Sequence, residues 1–329
     1  MMQNTSLRSA TIAGFSILAG LLVVPFILDP YQTLLLTYGL VMAIAALGFN
    51  LLLGYTGLLS FGHSAYFGAG AYAVALSAKY LGVTSMEAFI AIGVLSTALI
   101  AAVFGAICVR HTKIFFAILA MALSQVIWTL AYKLYDITNG TDGLNIPFPT
   151  LLGGSMEFVG SGSYQRFVNA YYFYVIGFFI AALVVMWVIV NSPFGKVLQS
   201  IRDNDVRAEF IGMPVKLYRW FAFIISGSFT GLAGVLWIPL NRHVTPDVLH
   251  WPFSGEIVFM TVLGGFKSFI GPVVGALFFN YLKTYAIAWT EYWQMLLGIV
   301  LVVLVIALPT GIVGIISNLA SRMRAGGKQ

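Results

Sequence analysis

Charge is what this sequence has least of. Of its 329 residues 60% are hydrophobic and only 9% are charged, a balance that excludes every soluble globular class. The one cysteine, Cys108, cannot form an internal disulfide and sits in an apolar run as a small buried residue. The four histidines fall in no Cys/His cluster with metal spacing. No Gly-x-x-x-x-Gly-Lys-Ser/Thr occurs, so the chain has no P-loop with which to bind ATP. A Ser/His/Asp nucleophile context, an intramembrane metal motif and a channel filter sequence are missing too. No basic patch interleaved with aromatics supports nucleic-acid binding.

What is present is hydrocarbon in long runs. A bilayer core of about 30 Å needs roughly 20 apolar residues per helix, and the runs here are too long and too unalternating for barrel strands. Lipid offers no partner for unpaired backbone groups, so the spanning elements must be helices. The expected fold is an all-α integral membrane protein, a polytopic helical bundle of about 10 transmembrane segments in a single transmembrane domain, 1–329. The expected spans are 10–28, 33–53, 62–78, 88–109, 114–132, 171–190, 220–240, 254–265, 271–289 and 293–309. The eighth is short and either spans or re-enters. The first has Arg8 before it and no small-residue cleavage site after it, which reads as a retained helix.

Basic residues set the orientation. With the N-terminus cytoplasmic, Arg8, Arg110, Lys113, Lys196, Arg202, Arg207, Lys216, Arg219, Lys267, Arg322, Arg324 and Lys328 fall inside, 12 of the 17 Lys and Arg. Both termini are therefore expected in the cytoplasm, and the net charge of +6 is orientation charge. The longest outer region, 136–170, carries Gly, Asn and Asp turn formers. A loop of that length either docks an external protein or caps the helix ends.

One stretch is patterned by charge. In 192–214, Ser192 is a plausible N-cap, Pro193 a good first helical residue, and Gly212 with Pro214 a stop. Val197, Leu198, Ile201, Ala208 and Ile211 recur at near-helical spacing, while Lys196, Arg202, Asp203, Asp205, Arg207 and Glu209 supply a charged surface. Such an amphipathic helix lies on lipid or fits a groove on a soluble partner, and the mixed signs favour the partner.

Polar residues inside the apolar runs are the other candidates. Asn50, Tyr55, Ser60 and His63 sit in or beside hydrocarbon among small residues between Leu47 and Ala73. Gly-rich packing, with hydroxyls bonded back to their own helix, accounts for them, or they line a water-filled path; for His63 the readings are an interhelical hydrogen bond, lining of the path and, remotely, a proton relay or metal contact. Gln125 is interior glue or path lining. Glu256 is either a hydrated interface residue or a cavity residue, with Lys283 as its possible partner unless that long stem snorkels outward. The small-xxx-small pairs Gly227/Gly231 and Gly271/Gly275 suit close helix crossings. Thr56-Gly-Leu and Thr230-Gly-Leu hint at an internal repeat.

Several stretches together resemble one family. They are 52–72, Leu-Leu-Gly-Tyr-Thr-Gly-Leu-Leu-Ser-Phe-Gly-His-Ser-Ala-Tyr-Phe-Gly-Ala-Gly-Ala-Tyr; Phe115-Phe-Ala-Ile-Leu-Ala-Met-Ala; Gly140-Thr-Asp-Gly-Leu144; 192–212; Ala222-Phe-Ile-Ile-Ser-Gly; and Leu263-Gly-Gly with Gly271-Pro-Val-Val-Gly-Ala276. In this order they resemble the LivM-type permease subunits of branched-chain amino acid ABC importers. Asn139 departs from the family's Gly-Gly-x-Asp-Gly-Leu-like turn.

The resemblance implies a multi-pass protein of the bacterial cytoplasmic (inner) membrane, surrounded by lipid. Its partners would be a sister permease subunit, two cytoplasmic ATPase subunits and a periplasmic substrate-binding protein. This chain would bind no cofactor, with ATP and Mg on the partner ATPases, and would be no enzyme. The stretch 192–214 would be a coupling helix, with Arg202, Asp203, Asp205, Arg207 and Glu209 in groove contacts and Gly212 at the turn. Asn50, Tyr55, Ser60, His63, Gln125 and Glu256 would be candidates for the translocation path. Urea, short amides and aromatic acids are the alternative substrates, and an autonomous secondary transporter the alternative class.

Overall fold

The computed structural model describes residues 25, 29–111, 113–153, 163–307 and 311–315; the expected span 10–28 lies outside them except for Pro25. In chain order the elements are α1 (Pro30–Thr56), α2 (His63–Leu81), α3 (Met86–Cys108), α4 (Lys113–Lys133), the one-turn α5 (Tyr135–Thr138) and a 3-10 turn at Gly140–Asp142. There follow β1 (Leu144–Asn145), α6 (Ser163–Asn191), α7 (Pro193–Asp203), α8 (Asp205–Phe210), α9 (Val215–Asn241) and β2 (His243–Val244). A 3-10 turn at Pro246–Leu249, α10 (Trp251–Gly264), α11 (Gly271–Trp289) and α12 (Trp293–Ala307) complete the described chain. Among the described residues five helices, α1, α3, α4, α6 and α9, are by length and composition long and apolar enough to cross a membrane. The protein is a predominantly helical, multi-pass membrane protein.

The centre of the bundle is α1. Val41, Ala43, Ile44, Ala45, Ala46 and Phe49 are each fully buried, so this helix is covered on every side, as expected of one that is apolar all round. Against it lies α9, where small residues let backbones approach. A Cβ on Gly48 would fall 2.9 Å from the carbonyl oxygen of Ser226, and α9 approaches α2 as closely, since a Cβ on Gly234 would strike the carbonyl oxygen of Phe67. Both small-xxx-small pairs are used: Gly227 and Gly231 meet Ala101 and Thr97 of α3, while Gly271 and Gly275 press α11 onto α10.

Two helices begin inside the bundle rather than at its ends. Residues 57–62 run without helix before α2, whose first residue, His63, reaches Ser226, eleven residues or about 16 Å along α9. From the other direction the chain re-enters through Pro246–Leu249 before α10, and Ser254 in its first turns meets Ser64. Irregular backbone at such depth needs protein partners. Serines supply them: Ser60 Oγ accepts from the Gly62 amide at 3.3 Å and Ser254 Oγ from the Ser64 amide at 2.8 Å.

The two Thr-Gly-Leu tripeptides occupy unlike places. Thr56 ends α1 and Gly57 turns left-handed at φ 72°, whereas Thr230 and Gly231 are mid-helix in α9.

The expected loop 136–170 is shorter than its sequence suggests, because α6 starts at Ser163 rather than 171. At 29 residues, α6 extends about 43 Å. Residues 136–153 fold over the helix ends. There β1 pairs antiparallel with β2, Leu144 opposite Val244, and Lys79 Nζ donates to Asn139 Oδ1 at 3.1 Å.

Asn139 has φ 57° and Gly140 φ 53°, so the apparent departure from a glycine is chemically conservative: asparagine tolerates the left-handed region. Asn139→Gly is expected to melt with the parent protein in detergent. Asn139→Val, forced into that region, should lose about 1–2 kcal/mol and melt earlier.

Candidate functional site

The segment 192–214 is a stub at one end of the bundle. Ser192 Oγ accepts from the Gly195 amide at 3.4 Å and Pro193 opens α7. The expected single helix is in fact two, which corrects the sequence reading. Asn204 is extended (φ −161°, ψ 102°), and its Oδ1 accepts from the Arg207 amide at 2.8 Å to cap α8. An asparagine side chain competes with the helical ladder in this way, ending one helix by starting the next. Gly212, at φ 87°, makes the closing turn, with the Met213 amide donating back to the Ala208 carbonyl at 3.1 Å.

The stub is fastened to the bundle. Leu198, Ile201 and Ala208 are buried. Arg202 Nη1 donates to the Gly54 carbonyl in the last turn of α1 at 2.6 Å, and its Nε and Nη2 donate to Asp203 Oδ1 at 3.2 and 3.1 Å. Arg219, its side chain 8% exposed, donates through Nη2 to Asp205 Oδ2 at 3.0 Å. Of the six expected coupling residues, then, Arg202, Asp203 and Asp205 are engaged within the chain. Arg207 and Glu209 are exposed. Beside them stand three apolar side chains that the sequence reading left out or assigned to the inner face: Val206, Phe210 and Ile211, 57%, 87% and 67% exposed.

The Arg219 guanidinium, hydrogen-bonded to Asp205, holds that carboxyl below its usual value. A carboxylate depressed in the fold contributes stability above its unfolded value, and the contribution is lost as pH falls through the folded value. The melting gap between the parent protein and Asp205→Asn should therefore be full at neutral pH. It should narrow below about pH 4 and vanish at lower pH.

The path candidates separate by environment. Asn50, Ser60 and His63 are buried, at most 2% exposed. His63 Nε2 and Ser226 Oγ are 2.8 Å apart, an interhelical hydrogen bond, and the Phe49 ring meets the imidazole edge-on at 4.8 Å. Asn50 Oδ1 and Gln125 Nε2 are buried without hydrogen-bond partners among the described residues. Tyr55 lines a cavity of about 340 Å³ with Trp187, Asn191, Gln199 and Ser268, next to the stub. Glu256 pairs with Lys283 across α10 and α11, Nζ lying 2.6 and 2.7 Å from its two carboxylate oxygens. Of the two readings left open for Lys283, pairing is the one the structure takes. Arg202 thus links the stub to the last turn of α1, and polar side chains such as Asn50, Ser60 and His63 are buried within the bundle.

Comparison with known proteins places this architecture. Residues 32–305 match the family model described as branched-chain amino acid transport system / permease component. The high-affinity branched-chain amino acid transport system permease protein LivM of Salmonella typhimurium is 25% identical over 305 residues, covering 88% of this chain and 71% of that one. The probable LivM of Methanocaldococcus jannaschii is 25% identical, over 87% of this chain and 94% of its own. LivH of Salmonella typhimurium is 23% identical, over 84% and 92%. No solved structure matches the chain. With most of its length inside one family model, and with a helical membrane bundle to house it, the chain belongs to the branched-chain amino acid transport permease family, whose members are transport subunits and not enzymes.

Proposed function

We propose that this chain is one permease of an ATP-driven importer for branched-chain amino acids in a bacterial inner membrane. It crosses the membrane about 10 times with both termini cytoplasmic, and a sister permease completes the path. A periplasmic binding protein delivers substrate to the side of 136–170. Two cytoplasmic ATPases, holding ATP and Mg, dock on 192–214. The relatives' printed names supply the substrate class, and the 12 inward Lys and Arg of 17 support the orientation.

The observation that carries the reading is the α7–α8 stub. An exposed Phe210 between Val206, Ile211, Arg207 and Glu209 is an apolar anchor with a charged rim, the composition of a docking hot spot. Arg202 ties the same element to α1, so movement of a docked ATPase reaches the centre of the bundle.

Pull-down of the ATPase subunits by this permease with its sister, in detergent, tests it. Capture by the parent protein and weakened capture by Arg207→Glu/Glu209→Arg is the expected result. Absence of capture by the parent would overturn it.

A further inference from the structure

Three salt bridges join described residues: Arg202–Asp203 and Arg219–Asp205 belong to the stub, and Lys283–Glu256 belongs to the membrane helices. The third has no part in docking an ATPase. The pair stands about two turns from one end of each helix that carries it: Glu256 is five residues past the start of α10 at Trp251 and Lys283 six residues before the end of α11 at Trp289. Glu256 also lies two residues past Ser254, which is bonded to Ser64 beside His63. Charged side chains persist among apolar helices where they face one another, a protein partner or water.

The pair is not sealed. The Glu256 and Lys283 side chains remain 21% and 27% exposed, whereas Ser64, His63, Ser226 and Ser254 in the same part of the bundle are fully buried. The Lys283 ammonium also stands 5.5 Å from the centre of the Trp293 ring. On the same two helices Phe259 and Tyr285 are 42% and 55% exposed. The chain thus offers a cation and an anion side by side, open on one face, with apolar and aromatic surface nearby.

We infer that Glu256 and Lys283 form a transient site for a zwitterionic α-amino acid, Lys283 taking its carboxylate and Glu256 its ammonium; this rests on the proposed function and names the groups that recognise the substrate. A zwitterion leaving water loses the hydration of two charges at once. A protein ion pair that opens to receive it exchanges one set of opposite-charge contacts for another, so no isolated charge is left in a low-dielectric surrounding at either stage. The exchange also selects. Urea and neutral amides lack the two full charges needed to part the pair. An acid without an amine would bring its carboxylate towards Glu256 with nothing to neutralise that residue, a like-charge cost.

The test is uptake of radiolabelled leucine by proteoliposomes holding the whole complex: both permeases, the ATPases and the binding protein. The parent complex is compared with Glu256→Gln/Lys283→Met, which removes both charges and leaves neither one stranded. Uptake per assembled complex, with assembly judged by co-purification, should fall at least tenfold; uptake within twofold of the parent overturns the inference. A variant that fails to assemble leaves the decision to the parent complex, labelled with photo-leucine during ATP turnover and mapped by mass spectrometry. Adducts on α10 and α11 around Glu256 and Lys283 support the site, and adducts confined to other helices overturn it. Failure of the parent complex to assemble refutes the proposed function instead, so the two failures are distinct.

Discussion

Phe210→Asp is expected to weaken ATPase capture at least a hundredfold while leaving the permease's own melting unchanged. The side chain is 87% exposed, so within this chain it has almost no packing to lose. Burying a phenylalanine from water is worth about 1.5–3 kcal/mol, and truncated interface anchors typically lose 2 kcal/mol or more. A carboxylate in the same pocket adds desolvation without a partner. At about 1.4 kcal/mol per tenfold, the sum exceeds two orders of magnitude. Arg207→Ala provides the contrast: a rim charge in high dielectric contributes about 0–1 kcal/mol, so its affinity should change only a few-fold. Titrating purified ATPase against detergent-solubilised permease reads both. Equal affinities for Phe210→Asp and the parent protein would dismiss the stub as the docking element.

The sequence drew attention to this stub for its charges, and the charges proved the less informative half. Alternating signs over a few residues lie within reach of one another, so Arg202 and Asp203 find each other and Asp205 finds Arg219. The apolar anchors lie past the break at Asn204, where Ala208 takes the inward position and Val206, Phe210 and Ile211 face outward. Helix positions followed from hydropathy because runs of about 20 apolar residues have few alternatives in lipid. Where a helix starts relative to its neighbours did not follow. That α2 and α10 begin within the bundle depends on contacts such as His63–Ser226, 163 residues apart, and Ser64–Ser254, 190 apart. No local pattern encodes which of many serines will stand opposite. Glu256 was legible as a residue that needed a partner, since a bare carboxylate in hydrocarbon costs about 2.5–3.5 kcal/mol on insertion scales, and Lys283 was the one cation named for it.

Gly275→Val is expected to yield no monodisperse permease after detergent extraction. The Cβ that valine requires would strike the Met260 carbonyl oxygen; a Cβ on Gly264 would strike the carbonyl of Gly271, and one on Gly271 that of Gly265. These obstacles are backbone on both sides of the crossing, so no rotamer change relieves them. The helices must separate. Overpacking a close-packed interior costs about 1–3 kcal/mol by itself, and separation here also draws Lys283 from Glu256, adding the cost of charges left unpaired in hydrocarbon. The two penalties together are a large share of the roughly 5–15 kcal/mol that holds a typical fold. Glycine alone is not the cause: at Gly177 and Gly298 no atom of the described residues, apart from the adjoining backbone of the same helix, lies within 4 Å of an added Cβ. Gly177→Ala and Gly298→Ala should therefore elute and melt like the parent protein, or melt slightly later, given alanine's higher helix propensity. Size-exclusion profiles of fluorescent fusions across the three variants measure this directly. A Gly275→Val protein with the parent's profile and melting would mean that α10 and α11 do not cross through these glycines, and the placement of Glu256 against Lys283, which depends on that crossing, would fall with it.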